Sequence, residues 1–166
     1  MEGGRWCLGQ SSVGLPYQSM SCAVDEIKEE VGMFSHVMIG ARDLPKMVAF
    51  YDAVLGALGL VRMPSENDTG PPGEGWQQPG RPWPLVFVQE PFNGLPATWG
   101  NGMQVSFAAD SPQTVRAAWE QALAMGGRDE GAPGLRAHYS PGYFGAYCRD
   151  PEGNKLCFVH APDLRV

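Results

Sequence analysis

The chain has 166 residues and a formal net charge of −6, from 12 basic and 18 acidic side chains. With 43% hydrophobic and 18% charged residues it has material for a buried core at a length suited to one domain or two small repeated units. A wholly disordered chain is excluded, and the acidic balance without a basic stripe argues against a nucleic-acid partner.

No run approaches the roughly 18 apolar residues of a membrane span, and Met1 to Gln10 lacks the basic-then-apolar pattern of a secretory leader. Cys7, Cys22, Cys148 and Cys157 form no C-x-x-C pair and read as reduced thiols, so a cytoplasmic protein without a membrane partner is expected. Residues 1–32 read as an extension, flexible or non-native, with a short helix expected over 25–31. From residue 33 the pattern changes. Phe34 to Ala41 reads as a strand. Asp43 is a plausible helix cap, and Pro45 suits the first turn after it. Met47, Val48, Phe50, Tyr51, Val54, Leu55 and Leu58 recur at three- and four-residue spacing, the mark of one apolar helix face that Gly59 ends. Leu60 to Met63 reads as a second strand. The stretch 65–84, rich in Gly and Pro, reads mostly as loop around Trp76, and Leu85 to Gln89 as a further strand.

A second copy of this pattern follows. Gly102 to Ala109 is strand-like, Asp110 or Ser111 caps a helix with Pro112 in its first turn, and Val115, Ala118, Trp119, Ala122 and Leu123 form its apolar face. Residues 129–134 read as a Gly/Pro loop. Tyr143 to Arg149 and Lys155 to His160 read as strands flanking the turn Asp150-Pro151-Glu152-Gly153-Asn154. His36 with Met38, and Gln104 with Ser106, aligned at a single offset, suggest a duplicated module. Alternation then places His36, Gln104, Ser106 and Cys157 on strand faces turned away from the helices.

Three segments together resemble the vicinal oxygen chelate superfamily of glyoxalases, bleomycin-resistance proteins and extradiol dioxygenases. They are Ser35-His36-Val37-Met38-Ile39-Gly40 with the helix that follows, Gly100-Asn101-Gly102-Met103-Gln104-Val105-Ser106-Phe107, and Ala146 to Cys157 around Asp-Pro-Glu-Gly-Asn. The resemblance covers residues 33–161. It implies an α+β fold of two βαβββ modules, about 33–91 and 101–161, forming a curved mixed sheet around a cavity. It also implies a divalent metal held by a His or Gln from the first strand of each module and a Glu from a last strand. His36 fills the first position and Gln104 the second, while Cys157 stands where the Glu is expected. Phe87 stands at the corresponding place of the first module and cannot ligate. Zinc is the metal most compatible with His, Gln and Cys donors.

The segment Arg136 to Tyr143 is read as a cavity-side loop. Arg136 is expected to grip an anion, Tyr139 to stack on a planar substrate beside Ser106 and Phe87, and His138 and Tyr143 to assist as catalytic groups. Trp76, Trp83 and Trp99 are expected near the cavity mouth. The resemblance further implies a homodimer. Two functions stay open: a metal-dependent lyase or dioxygenase with an altered ligand set, or a metal-free protein that binds or sequesters a small molecule without turnover.

Overall fold

The computed structural model describes residues 33–64 and 70–164. The extension over 1–32, with its expected helix, Cys7 and Cys22, lies outside the described residues. The first module runs β1 (His36–Gly40), α1 (Leu44–Ala57), β2 (Val61–Arg62), β3 (Gly73–Gln77) and β4 (Leu85–Gln89). The second runs β5 (Val105–Ala108), α2 (Pro112–Ala124), β6 (Arg128–Leu135), β7 (Phe144–Arg149) and β8 (Lys155–His160). Each module is therefore βαβββ, and the class is α+β.

The helices begin where short polar side chains satisfy free amides. Asp43 accepts from the Lys46 amide at 3.2 Å and Ser111 from the Thr114 amide at 3.1 Å, as caps require. Gly59 (φ 83°) and Gly126 (φ 89°) take the left-handed conformation just past the helix ends.

The strands form two four-stranded sheets, ordered β1-β4-β3-β2 and β5-β8-β7-β6. In each, the first strand pairs parallel with the last and the remaining pairs are antiparallel. Among the described residues no hydrogen-bonded ladder joins the sheets into one, and no strand of the first brings a Cα within 8 Å of a strand of the second. The modules meet through their helices instead. One apolar core takes Met47, Phe50, Tyr51, Val54 and Leu55 from α1 and Val115, Ala118 and Ala122 from α2, with Val88, Leu156 and Phe158 from the strands beneath.

A polar latch also joins the modules. The buried Tyr51 hydroxyl donates to Asp150 at 2.9 Å, and Asp150 accepts in addition from the amides of Glu152 and Asn154 and from the Asn154 side chain. A buried carboxylate is tolerable only with such full satisfaction. The Glu152 carboxylate takes the amides of Arg42 and Asp43 at 2.7–2.9 Å, at the amino end of α1, where the helix dipole favours an anion. The turn that the sequence marks as a hairpin is thus the bolt between the modules.

Two loop readings are corrected. Residues 73–77 are strand β3, not loop. Gly73 and Gly75 allow it, because a Cβ at Gly73 would lie 2.5 Å from Gln89 and one at Gly75 2.3 Å from Met63. Residues 129–134 belong to strand β6, whose register shifts twice between Asp129 and Gly134, so neither alternation nor composition reveals it. Trp76 is not at a cavity mouth. It is 1% exposed, sits in the core and donates its indole N–H to Asp52 at 3.0 Å.

Candidate functional site

Each sheet packs one face on the helices and turns the other outward. On the first sheet β1 pairs with β4 so that Met38 lies opposite Phe87. His36 is exposed, its ring edge-on to Phe87 at 5.9 Å and its Nδ1 3.0 Å from the Ser35 hydroxyl. Met38 is 54% exposed. The register also puts Gln77, opposite Leu85, and Gln89, opposite Gly40, on this outer face, so it joins apolar side chains to an imidazole and two amides.

The second sheet's outer face is different. Ser106 lies opposite Cys157, and Cys157 opposite Tyr147. Gln104 donates to the Ser106 hydroxyl at 3.0 Å. The Tyr143 ring folds back over Gly145, where a Cβ would lie 2.9 Å from it, and its hydroxyl sits 3.8 Å from Cys157 Sγ. Tyr139 packs on Tyr143 at 5.1 Å and on His138 at 4.1 Å. Arg136 lies over the Tyr147 ring, its guanidinium donating to the carbonyls of Ala132 and Leu135. Under this cover Cys157 is fully buried although it faces away from the helices.

The electrostatics follow from that burial. Desolvation raises the Cys157 thiol above its ordinary value, an effect that donation from Tyr143, Ser106 and Tyr147 reduces without reversing. Desolvation likewise raises the hydroxyls of Tyr143 and Tyr147. At neutral pH the cluster is an uncharged set of hydroxyls around a thiol, rich in donors and acceptors and without a resident base.

The expected residues are thus divided. Gln104, Ser106, Arg136, Tyr139, Tyr143 and Cys157 share the second sheet's outer face, and exposed His138 stands at its edge. His36 and Phe87 stand on the first sheet. Among the described residues no three His, Cys, Asp or Glu side chains are grouped to hold a metal. The donor chemistry points the same way. The Gln104 amide is engaged with Ser106, and no carboxylate replaces the expected Glu. The residues present do not fit a divalent metal centre within one chain. Tyr147 is a site residue that the sequence reading passed over. Its signal was alternation in β7, which puts it on the face opposite the buried Cys148.

Two shallow clefts lie elsewhere. One of about 320 Å³ is bordered by Leu58, Arg81 and Asp110. The other, about 420 Å³, lies beside Trp99 and Arg149 at the far end of the second sheet.

Residues 33–158 match the family model of the Glyoxalase/Bleomycin resistance protein/Dioxygenase superfamily. The chain belongs to that superfamily. It is similar to a glyoxalase/bleomycin resistance protein from Albidiferax ferrireducens, with 39% identity, a TM-score of 0.67, and coverage of 79% of this chain and 100% of that one. A glyoxalase/bleomycin resistance protein/dioxygenase family enzyme from Burkholderia phytofirmans shares the fold at 22% identity and TM-score 0.57, covering 75% of this chain and 95% of the other. So does TnmS3, an antibiotic-binding protein from a Streptomyces species, at 14% identity and TM-score 0.55, over 78% and 95% of the two chains. No curated protein matches.

Proposed function

We propose that residues 33–161 form a domain that binds a small planar organic molecule on the outer face of the second sheet, without a resident metal. The observation that carries this reading is the thiol of Cys157, buried under Tyr143 at the place where the superfamily resemblance calls for a carboxylate ligand. Tyr139 and Tyr143 offer ring faces for stacking, and Gln104 and Ser106 offer an amide and a hydroxyl to orient polar substituents. Arg136 has its guanidinium on backbone carbonyls and over Tyr147, so it stiffens the loop; its role is support for Tyr147 rather than capture of an anion. His138, exposed against Tyr139, adds an imidazole beside these rings. The antibiotic-binding relative gives this kind of use a precedent on the same fold.

The face is open in one chain, and so is the face of His36, Met38 and Phe87. We propose that a second copy covers them, making a homodimer. Sedimentation should give twice the chain mass, and Met38→Asp should shift the protein toward monomer. A wild-type monomer at all concentrations overturns the dimer.

Naphthol, a neutral planar probe, tests the binding reading. Tyr143→Phe and Tyr139→Ala should each weaken its binding, and chelator followed by zinc should change nothing. Binding that requires zinc and disappears in His36→Ala would replace this reading with a metal-dependent lyase or dioxygenase using His36, Gln104 and Cys157.

A further inference from the structure

The outer face of the second sheet has a trough in it. Gly134 of β6 and Gly145 of β7 lie directly opposite each other, with Val159 of β8 opposite Gly145 on its other side. Neither glycine raises a side chain above the sheet, and two longer side chains lie down in the space. A Cβ at Gly134 would come 2.8 Å from the Arg136 guanidinium. One at Gly145 would come 2.9 Å from Cε1 of the Tyr143 ring, well inside the roughly 3.5–4.0 Å at which carbon atoms pack.

Side chains along a strand stand roughly perpendicular to the sheet. Tyr143, one residue before β7, does not. Its ring leans along the strand over Gly145, two residues on, and its hydroxyl lies 3.8 Å from Cys157 Sγ on the adjoining strand. Gly145 is buried beneath it, and Cys157 has no exposed surface. The base of the ring is held by the backbone. The Tyr143 amide donates to the Ser140 carbonyl at 3.1 Å, and the Tyr143 carbonyl accepts from the Arg136 amide at 2.8 Å. Tyr139 packs on the ring at 5.1 Å. Gly145 is not among the glycines with a left-handed φ, so its backbone suits any residue. What the glycine supplies is space.

We infer that Gly145 is a positioning residue of the binding face: it seats the Tyr143 ring across Cys157, so that a ligand meets the ring and not the thiol. This rests on the proposed reading of the face as a ligand site, whereas the seat itself can be measured without any ligand.

Alkylation of the full chain with iodoacetamide, a small neutral reagent, followed by mass mapping, reads the seat. Cys157 should react slowly in the wild type. Gly145→Ala should lift the ring and speed the reaction at Cys157 about tenfold or more, because a sealed group reacts only through rare opening. Cys148, buried in the shared core on the opposite face of β7, should stay slow, which separates a lifted ring from a loosened chain. Tyr143→Ala should open Cys157 as far, and adding Gly145→Ala to it should do nothing more, because the ring to be displaced is gone. Tyr143→Phe, which keeps the ring, should leave Cys157 sealed. Naphthol binding should weaken in Gly145→Ala by about threefold to tenfold, the range of one aromatic contact.

A Cys157 that stays slow in Gly145→Ala or in Tyr143→Ala overturns the inference. If Gly145→Ala speeds both cysteines alike, the decision passes to Tyr143→Ala, in which Cys157 must open alone. Unchanged naphthol affinity in a Gly145→Ala protein whose Cys157 has opened overturns the inference and leaves the binding reading standing. Naphthol that fails to bind the wild type overturns the binding reading, and fast labelling confined to Cys157 in Gly145→Ala then still establishes the seat.

Discussion

The two sheets of this protein are alike on the side that meets the helices and unlike on the side that does not. Toward the helices both present aliphatic and aromatic residues to a single core, Ile39 and Val88 from the first, Leu156 and Phe158 from the second. Away from them, Met38 opposite Phe87 in one sheet corresponds to Ser106 opposite Cys157 in the other. Packing constrains the inner faces, since any loss of volume there leaves a cavity. The outer faces escape that constraint, so one sets Met38 and Phe87 among His36, Gln77 and Gln89 while the other carries hydroxyls, an amide and a buried thiol. The duplicated backbone is a frame, and the difference between its outer faces is where chemistry is placed.

The likeness of the inner faces is broken most severely at Phe158, fully buried and stacked near Phe107. Phe158→Ala should cost about 3–5 kcal/mol in urea unfolding. Val88→Ala, the related deletion in the first sheet, should cost less because fewer atoms leave. Equal losses would mean that the modules do not share their core as described.

The latch comes next. Tyr51→Phe deletes the hydroxyl that donates to buried Asp150 and should cost about 1–3 kcal/mol. A near-zero change would show that the modules are held by apolar contact alone.

Alkaline pH probes the same region. Burial, and then the charge of Asp150, pushes the Cys148 thiol from 9.0 up to about 12, and burial raises Tyr51 as well. The folded state holds these protons more tightly than the unfolded chain. Their stabilisation is therefore complete below about pH 9 and is lost as pH rises from 9 toward 12 for the thiol. The melting temperature should fall over that window, and Cys148→Ala should flatten part of the fall. A melting temperature independent of pH there would contradict the burial of both groups.

The smallest expected effect on stability sharpens the contrast between outer faces. Ser106→Ala, at an exposed position, should change stability by no more than about 0.5 kcal/mol yet alter the affinity for naphthol measured by fluorescence. Met38→Ser, its counterpart on the first sheet, should leave that affinity alone. If both changes act alike, the second sheet has no special claim to the ligand.

Much of this was readable from the residues. Asp43, Ser111 and the glycines after each helix set the helix ends because capping is local chemistry, decided by a few neighbouring atoms. Apolar spacing on α1 named its buried face, Met47, Phe50, Tyr51, Val54 and Leu55, and alternation put Gln104, Ser106 and Cys157 together on one strand face. Strands β3 and β6 are not legible locally, because their glycines serve close packing and register shifts, which depend on what lies across the ladder. The burial of Trp76 on β3 escapes a local reading for the same reason.

What the sequence by itself determined, then, was the duplicated βαβββ frame and the superfamily, because both rest on local periodicity and short motifs. Only the tertiary structure decided that His36 and Cys157 stand on separate sheets, that Glu152 bolts the modules together, and that Tyr143 reaches Cys157 across Gly145. Those are relations between residues distant in the chain, fixed by strand pairing and by helix packing, and no local pattern encodes them.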